Sequence, residues 1–164
     1  MYRIALATAA DIAPITALLQ ANAPEQGGSL TGSFADSQVR SMIESGMPVI
    51  VAYRVSHLAG VMISTPMEAP SQPPVITAMR KAWPGRPDAY IYGPVCIATS
   101  ERRRGLLPIL YASLVEQLPG REAVLFIRHD NIGSLRAHRS LGMHEVAEFT
   151  LDSVKYVVFS NMAG

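Results

Sequence analysis

The chain has 164 residues and nearly balanced charge, with fourteen Lys and Arg against thirteen Asp and Glu. Hydrophobic residues make up 49% and charged residues 16%, below the roughly 25% typical of soluble domains, which suits a well-filled core and excludes a disordered or fibrous chain. A net charge of +1 argues against a dedicated nucleic-acid binder, and the one cysteine, Cys96, excludes an internal disulfide and a cysteine metal cluster.

The length fits one domain spanning residues 1–164. So low a charge content also suits a surface covered in a homodimer. No apolar run approaches the ~20 residues a membrane-spanning helix needs. The opening stretch carries no targeting pattern, because Asp11 and Pro14 interrupt it early. The expected setting is the cytoplasm, with no membrane or nucleic-acid partner.

Tyr2 to Ala7 reads as a first strand. Thr8 and Asp11 make a helix start, and Ile12, Ile15, Leu18 and Leu19 then repeat on one helical face. Ala23 to Ser33 holds Pro24, Gly27, Gly28 and Gly32 and reads as a loop. Val39, Met42 and Ile43 predict a short second helix that ends near Gly46 and Pro48. Val49–Tyr53 and Leu58–Ile63 are two strands of an antiparallel hairpin turning between Arg54 and His57.

Pro66 to Asp88 carries six prolines around a helix predicted over Val75–Trp83, and it is long for a connection in a small domain. Tyr90–Ala98 returns to strand. Leu106, Leu107, Leu110, Leu114 and Leu118 mark a helix closed by Pro119-Gly120. Ala123–Ile127 suits a buried strand, and Ile132–Leu141 a helix stopped by Gly142. Val146–Leu151 and Val154–Phe159 flank a turn at Asp152-Ser153. The order is mixed α/β, without repeats or a linker.

The richest stretch is Val95-Cys96-Ile97-Ala98-Thr99-Ser100-Glu101-Arg102-Arg103-Arg104-Gly105-Leu106-Leu107-Pro108. A strand runs into a basic turn with a glycine, and the turn opens a helix. Free N–H groups and the positive end of the helix dipole make an anion site there. Gly105 has no side chain to keep a phosphate away from the backbone. Pro108 falls in the first turn, where its missing N–H does no harm. Arg102, Arg103 and Arg104 add charge suited to phosphate. A solvated arginine run beside an ordinary glycine turn is the plainer alternative.

Arg102-x-x-Gly105-x-Leu107 between strand and helix resembles the acetyl-CoA signature of the GCN5-related N-acetyltransferase (GNAT) superfamily. Downstream, Asn131-x-x-Ser134 and His138-x-x-Leu141-Gly142-Met143 resemble that family's second helix motif, and the opening residues resemble its usual start. The likeness covers essentially the whole chain. It implies a single α/β domain whose mixed, mostly antiparallel, twisted sheet is flanked by helices, with the Tyr90 and Ala123 strands parallel and splayed for the pantetheine arm.

It also implies acetyl transfer from acetyl-CoA, the acyl-donor cosubstrate, to a small-molecule or protein amine, without a metal. The backbone of Val95, Cys96 and Ile97 would meet pantetheine. Residues Arg102, Arg103, Arg104, Gly105, Leu106, Leu107 and Pro108 would cradle the pyrophosphate, and Asn131, Ser134 and His138 would contact CoA from the later helix. Asn131 also suits a plain helix N-cap. The sequence departs from the pattern at Leu107, where a small residue is usual, and at His138, which fills the slot of a tyrosine acting as general acid. Histidine can serve as that acid near neutral pH.

No clear general base stands out. Phe126 occupies the position where some relatives carry a glutamate, and Asp88, Tyr90, Tyr92, His129 and Asp130 are the nearby polar candidates. Direct attack by an amine on the thioester needs orientation and a polarised carbonyl more than a strong base. Trp83, Tyr90 and Tyr92 are candidates for an acceptor pocket, with packing under the proline-rich segment as the equal alternative. A non-catalytic acyl-CoA-binding module is the rival function, and a hydrolase using Cys96 with His129 or His138 is a distant third.

Overall fold

The structure of the protein is a computed structural model that describes residues 1–23, 34–69 and 72–162. The loop expected from Ala23 to Ser33 lies outside the described residues beyond Ala23 itself, as does Pro70. The described chain forms seven strands in the hydrogen-bonded order β1-β2-β3-β4-β5-β7-β6, together with five α-helices. Its contacts gather in two compact units, each made of two stretches of chain. One comprises Met1–Thr65 with Gly93–Pro119, the other Pro66–Tyr92 with Gly120–Gly164. β4 (Tyr90–Ile97) contributes its first three residues to the second unit and the rest to the first.

In the first unit, β1 (Arg3–Leu6), β2 (Val49–Arg54) and β3 (His57–Pro66) pair antiparallel. The hairpin register slips by one residue where Ala52 faces Gly60 and Tyr53 faces Leu58. That bulge lets Leu58 and Val61, three residues apart, join one core. α1 (Ile12–Ala21) buries Ile12, Ile15 and Leu19 in this core, and α2 (Asp36–Glu44) adds Val39. Before α1, the Thr8 backbone N–H donates to the Asp11 carboxylate at 2.8 Å, closing the predicted helix start. α4 (Leu106–Gln117) packs where Gly60 leaves room: a Cβ there would stand 3.1 Å from Leu106 Cδ2 and 3.3 Å from Leu110 Cδ1.

The second unit sets the beginning of β4 parallel to β5 (Ala123–Arg128), through the pairs Tyr90↔Ala123 and Ile91↔Val124. β7 (Val154–Ser160) pairs antiparallel with both β5 and β6 (His144–Leu151). Asp152 and Ser153 both take positive φ in the two-residue turn, the geometry that matches strand twist. α3 (Pro74–Ala82) buries Met79 against Ile91, Val124 and Val158. α5 (Ile132–Ser140) packs on the opposite face, where His138 meets Tyr92 and Phe159. The mixed, mostly antiparallel sheet with flanking helices is the architecture the sequence predicted.

Candidate active site

The basic turn belongs to the first unit. β4 ends at Ile97, a 3-10 turn covers Thr99–Glu101, and α4 starts at Leu106. Arg103 and Gly105 both lie in the left-handed region, at φ 62° and 76°. The first N–H groups of a helix have no partner within it, so a helix start next to such a turn suits an anion. Gly105 caps α4, and its missing Cβ would meet nothing within 4 Å. The open space at Gly105 and the unpaired N–H groups of the helix start together fit a phosphate group. Residues Arg102 to Gly105 are exposed, Leu106 is buried in the core and Leu107 is half-buried.

Not all three arginines face outward for a ligand. Arg102 donates through Nη2 to Asn22 Oδ1 at 2.7 Å and through Nε to the Ile97 carbonyl at 3.2 Å. Its guanidinium therefore ties the turn to the end of α1, and two donors expected for phosphate are engaged within the fold. Glu101 is buried beneath the turn, where it accepts from the Tyr2 hydroxyl at 2.8 Å and from Arg54 Nη1 at 3.4 Å. The Tyr2 hydroxyl, opposed by burial and helped by the Arg54 guanidinium, holds the Glu101 carboxyl below the usual range. Asn22, Glu101 and Gly60 support the turn and escaped sequence reading. An acid just before the arginine run and a glycine inside an apolar strand were the available signals.

Cys96, on β4, is 5% exposed, and its thiol donates weakly to the Leu18 carbonyl at 3.8 Å. Burial pushes its pKa up to about 11, despite Arg102 nearby. A thiol held protonated near neutral pH is a poor nucleophile, which removes support from the hydrolase alternative.

The helix motif belongs to the second unit. Asn131 caps α5, its Oδ1 accepting the Ser134 backbone N–H at 3.2 Å. The alternative of a plain cap is therefore realised in the fold. Ser134 and His138 follow on the same face, one turn apart. His138 Nδ1 lies 2.8 Å from the Ser134 carbonyl oxygen and 3.3 Å from its hydroxyl, and Nε2 lies 3.0 Å from the Tyr92 hydroxyl. Burial lowers the His138 pKa, against the smaller raising effect of the Ser134 carbonyl.

The three aromatic residues considered for an acceptor pocket do not come together. Ile91 packs in the α3 core with Trp83, so strand alternation turns Tyr90 and Tyr92 to the other face. Tyr92 meets the His138 ring edge-on at 5.3 Å, and Arg121 lies 5.7 Å over the Tyr90 ring. Trp83 instead donates its indole N–H to Glu122 at 2.9 Å. Glu122, 1% exposed, also accepts the Arg86 backbone N–H at 2.7 Å and the Ser160 hydroxyl at 2.5 Å. Burial acts to raise its pKa, but these donors outweigh it and leave the carboxyl below its usual value. Trp83, Pro84, Gly85, Arg86, Glu122 and Met162 line a shallow cavity of about 280 Å³ beside this cluster. Glu122 was missed in the sequence, although it shares strand parity with inward-facing Val124.

Of the other base candidates, Asp130 is exposed and forms an ion pair with Arg128 at 3.0 Å. Phe126 packs edge-on against Tyr156 at 5.6 Å. Among the described residues, no group of three or more His, Cys, Asp and Glu gathers as a metal site. No helix among them is long and apolar enough to cross a membrane.

No family model matches the sequence, and no curated protein matches it significantly. The fold does have clear counterparts. A GNAT-family acetyltransferase from Streptococcus agalactiae superposes with a TM-score of 0.74 at 16% identity, over 99% of this chain and 96% of its own. A putative acetyltransferase from Salmonella typhimurium, solved with acetyl-CoA, gives 0.72 at 16% identity over 98% and 92%. A ribosomal-protein-alanine N-acetyltransferase from Brucella melitensis gives 0.72 at 20% identity over 98% and 99%. The chain has the GNAT fold. These three counterparts are described as acetyltransferases, one of them putative and solved with acetyl-CoA.

Proposed function

We propose that the protein is an acyl-CoA-dependent N-acyltransferase that moves an acetyl group from acetyl-CoA to an amine by direct attack. The observation that carries this reading is the turn at Arg103–Leu107, where two left-handed residues lead into the unpaired N–H groups at the start of α4, with open space at Gly105. Those amides would hold the pyrophosphate, with the Arg103 and Arg104 side chains adding charge. Arg102 would act mainly by keeping the turn in shape.

The backbone of Val95, Cys96 and Ile97 would bind the pantetheine arm, and Asn131, Ser134 and His138 would contribute from α5. Acetyl-CoA, when bound, supplies an activated thioester carbonyl. The protein orients an amine against it and handles the proton that the amine gives up. Counterparts that include a ribosomal-protein-alanine N-acetyltransferase support an amine acceptor, either a protein terminus or a small molecule. A cytoplasmic enzyme fits this reading.

Release of free CoA thiol from acetyl-CoA, followed across a panel of small amines and peptide N-termini, tests the proposal. Amine-dependent release supports it. Tight CoA binding with no release for any amine favours the acyl-CoA-binding module instead.

A further inference from the structure

His138 is fixed in one tautomer by its surroundings. A backbone carbonyl can only accept, so the 2.8 Å contact with the Ser134 oxygen requires the hydrogen on Nδ1. In the neutral ring Nε2 is then a bare acceptor, and the Tyr92 hydroxyl 3.0 Å away is its donor. The ring is met by Ser134 from its own helix, by Tyr92 from β4 and by Phe159 from β7. Tyr92 is the titratable group among these. His138 is 2% exposed and Tyr92 3%. Tyr92 also directly follows Ile91, which forms the last parallel pair with β5. Tyr92 therefore stands where β4 leaves its pairing.

We propose that Tyr92 and His138 work as one proton relay, in which Tyr92 Oη takes the proton of the attacking amine and His138 Nε2 stores it. This rests on the acyl-transfer reading and chooses Tyr92 among the polar base candidates that the sequence left open. The C–N bond forms as the C–S bond of the thioester breaks, and the amine must shed one proton. That proton passes to Tyr92 Oη while the hydroxyl's own proton moves to Nε2, leaving an imidazolium with Nδ1–H still on the Ser134 carbonyl. The same path returns the proton to the departing sulfur, so the pair ends as it began. Burial keeps the resting imidazole neutral, with Nε2 unprotonated. The acid role expected of His138 then falls in the second half of the cycle, exercised through Tyr92. Tyr92 is the catalytic residue, and His138 is the positioning and storage group behind it.

The test joins NMR of the His138 ring nitrogens with kinetics of Tyr92→Phe, His138→Ala, His138→Gln and the Tyr92→Phe/His138→Ala double variant. The wild-type ring should show a protonated Nδ1 and a bare Nε2 at neutral pH, with the Nε2 signal shifting in Tyr92→Phe. Each single variant should lower kcat about 10²-fold, with CoA affinity nearly intact in Tyr92→Phe, and the double variant should be no slower than either. His138→Gln can accept the hydroxyl but cannot store a proton. It should therefore restore the fold without restoring kcat, whereas a merely structural role would be rescued. An Nε2-protonated ring, an unchanged kcat in Tyr92→Phe, or multiplicative losses in the double variant overturns the relay alone. Absence of acetyl transfer by the wild type, with the ring nitrogens as described, overturns the acyl-transfer reading and the relay with it.

Discussion

Replacing Glu122 tests how the wall around Trp83 is held. Its carboxylate receives three donors inside the second unit, from Trp83, Arg86 and Ser160. The Ser160 hydroxyl has a second acceptor, the Met162 carbonyl at 2.7 Å, and can turn to it when the carboxylate is lost. The indole and the Arg86 N–H have no such alternative among their described contacts. Two stranded donors at about 1–3 kcal/mol each put Glu122→Ala near 3 kcal/mol of lost stability, or about 6–12 °C in Tm for a chain of this size. Glu122→Gln keeps one oxygen, which can serve the indole and the serine, so it should cost about half as much. The protein has a single tryptophan, so thermal unfolding followed by Trp83 fluorescence reads the site directly. The effect also has a pH signature. A carboxyl held below its usual value stabilises the fold above the unfolded pKa of ~4.3, and that contribution is lost as pH falls through the lower folded value. The gap between wild type and Glu122→Ala should therefore be widest near neutrality and close in acid. An alanine variant as stable as the wild type, or a gap that widens in acid, would refute the reasoning.

Gly105 has a left-handed backbone and free space at its Cβ, so Gly105→Ala should cost the free protein about 1 kcal/mol through backbone strain, read as a small fall in Tm. CoA affinity by calorimetry should fall more than tenfold; Gly105→Asn, which tolerates the conformation better, should show the smaller Tm change with the same loss of affinity. Gly60→Val drives a branched side chain into Leu106, Leu110 and the Cys96 carbonyl, and should cost about 1–3 kcal/mol in a denaturant titration while weakening CoA binding through the displaced start of α4.

Much of this fold can be read from its sequence, because hydrophobic spacing is a local property. The Ile12-Ile15-Leu19 face and the Val49 and Leu58 hairpin appear as periodicity predicts, and the parallel start of β4 and β5 as the family resemblance implies. The basic turn was legible for the same reason, since a strand, a glycine and a leucine-rich helix follow one another directly. What escaped depends on where long side chains end. Nothing local shows that Arg102 turns back to Asn22, 80 residues away, or that Glu122 collects donors from Trp83 and Ser160. The division of contacts into two interleaved units is likewise invisible in a chain without a linker. The aromatic cluster failed differently. Tyr90-Ile91-Tyr92 alternates along a strand, and closeness to Trp83 in sequence does not show that the tyrosines turn away from the face where Trp83 packs.

The central claim is that the turn after β4 takes the pyrophosphate of an acyl-CoA, and backbone amide NMR tests it most directly. CoA titrated into the protein should shift the amides of Arg103, Arg104, Gly105, Leu106 and Leu107 among the first and most, while pantetheine, which lacks the pyrophosphate, should leave them in place. Saturable CoA binding that moves other amides and leaves these five unmoved, or no binding at all, would contradict the account.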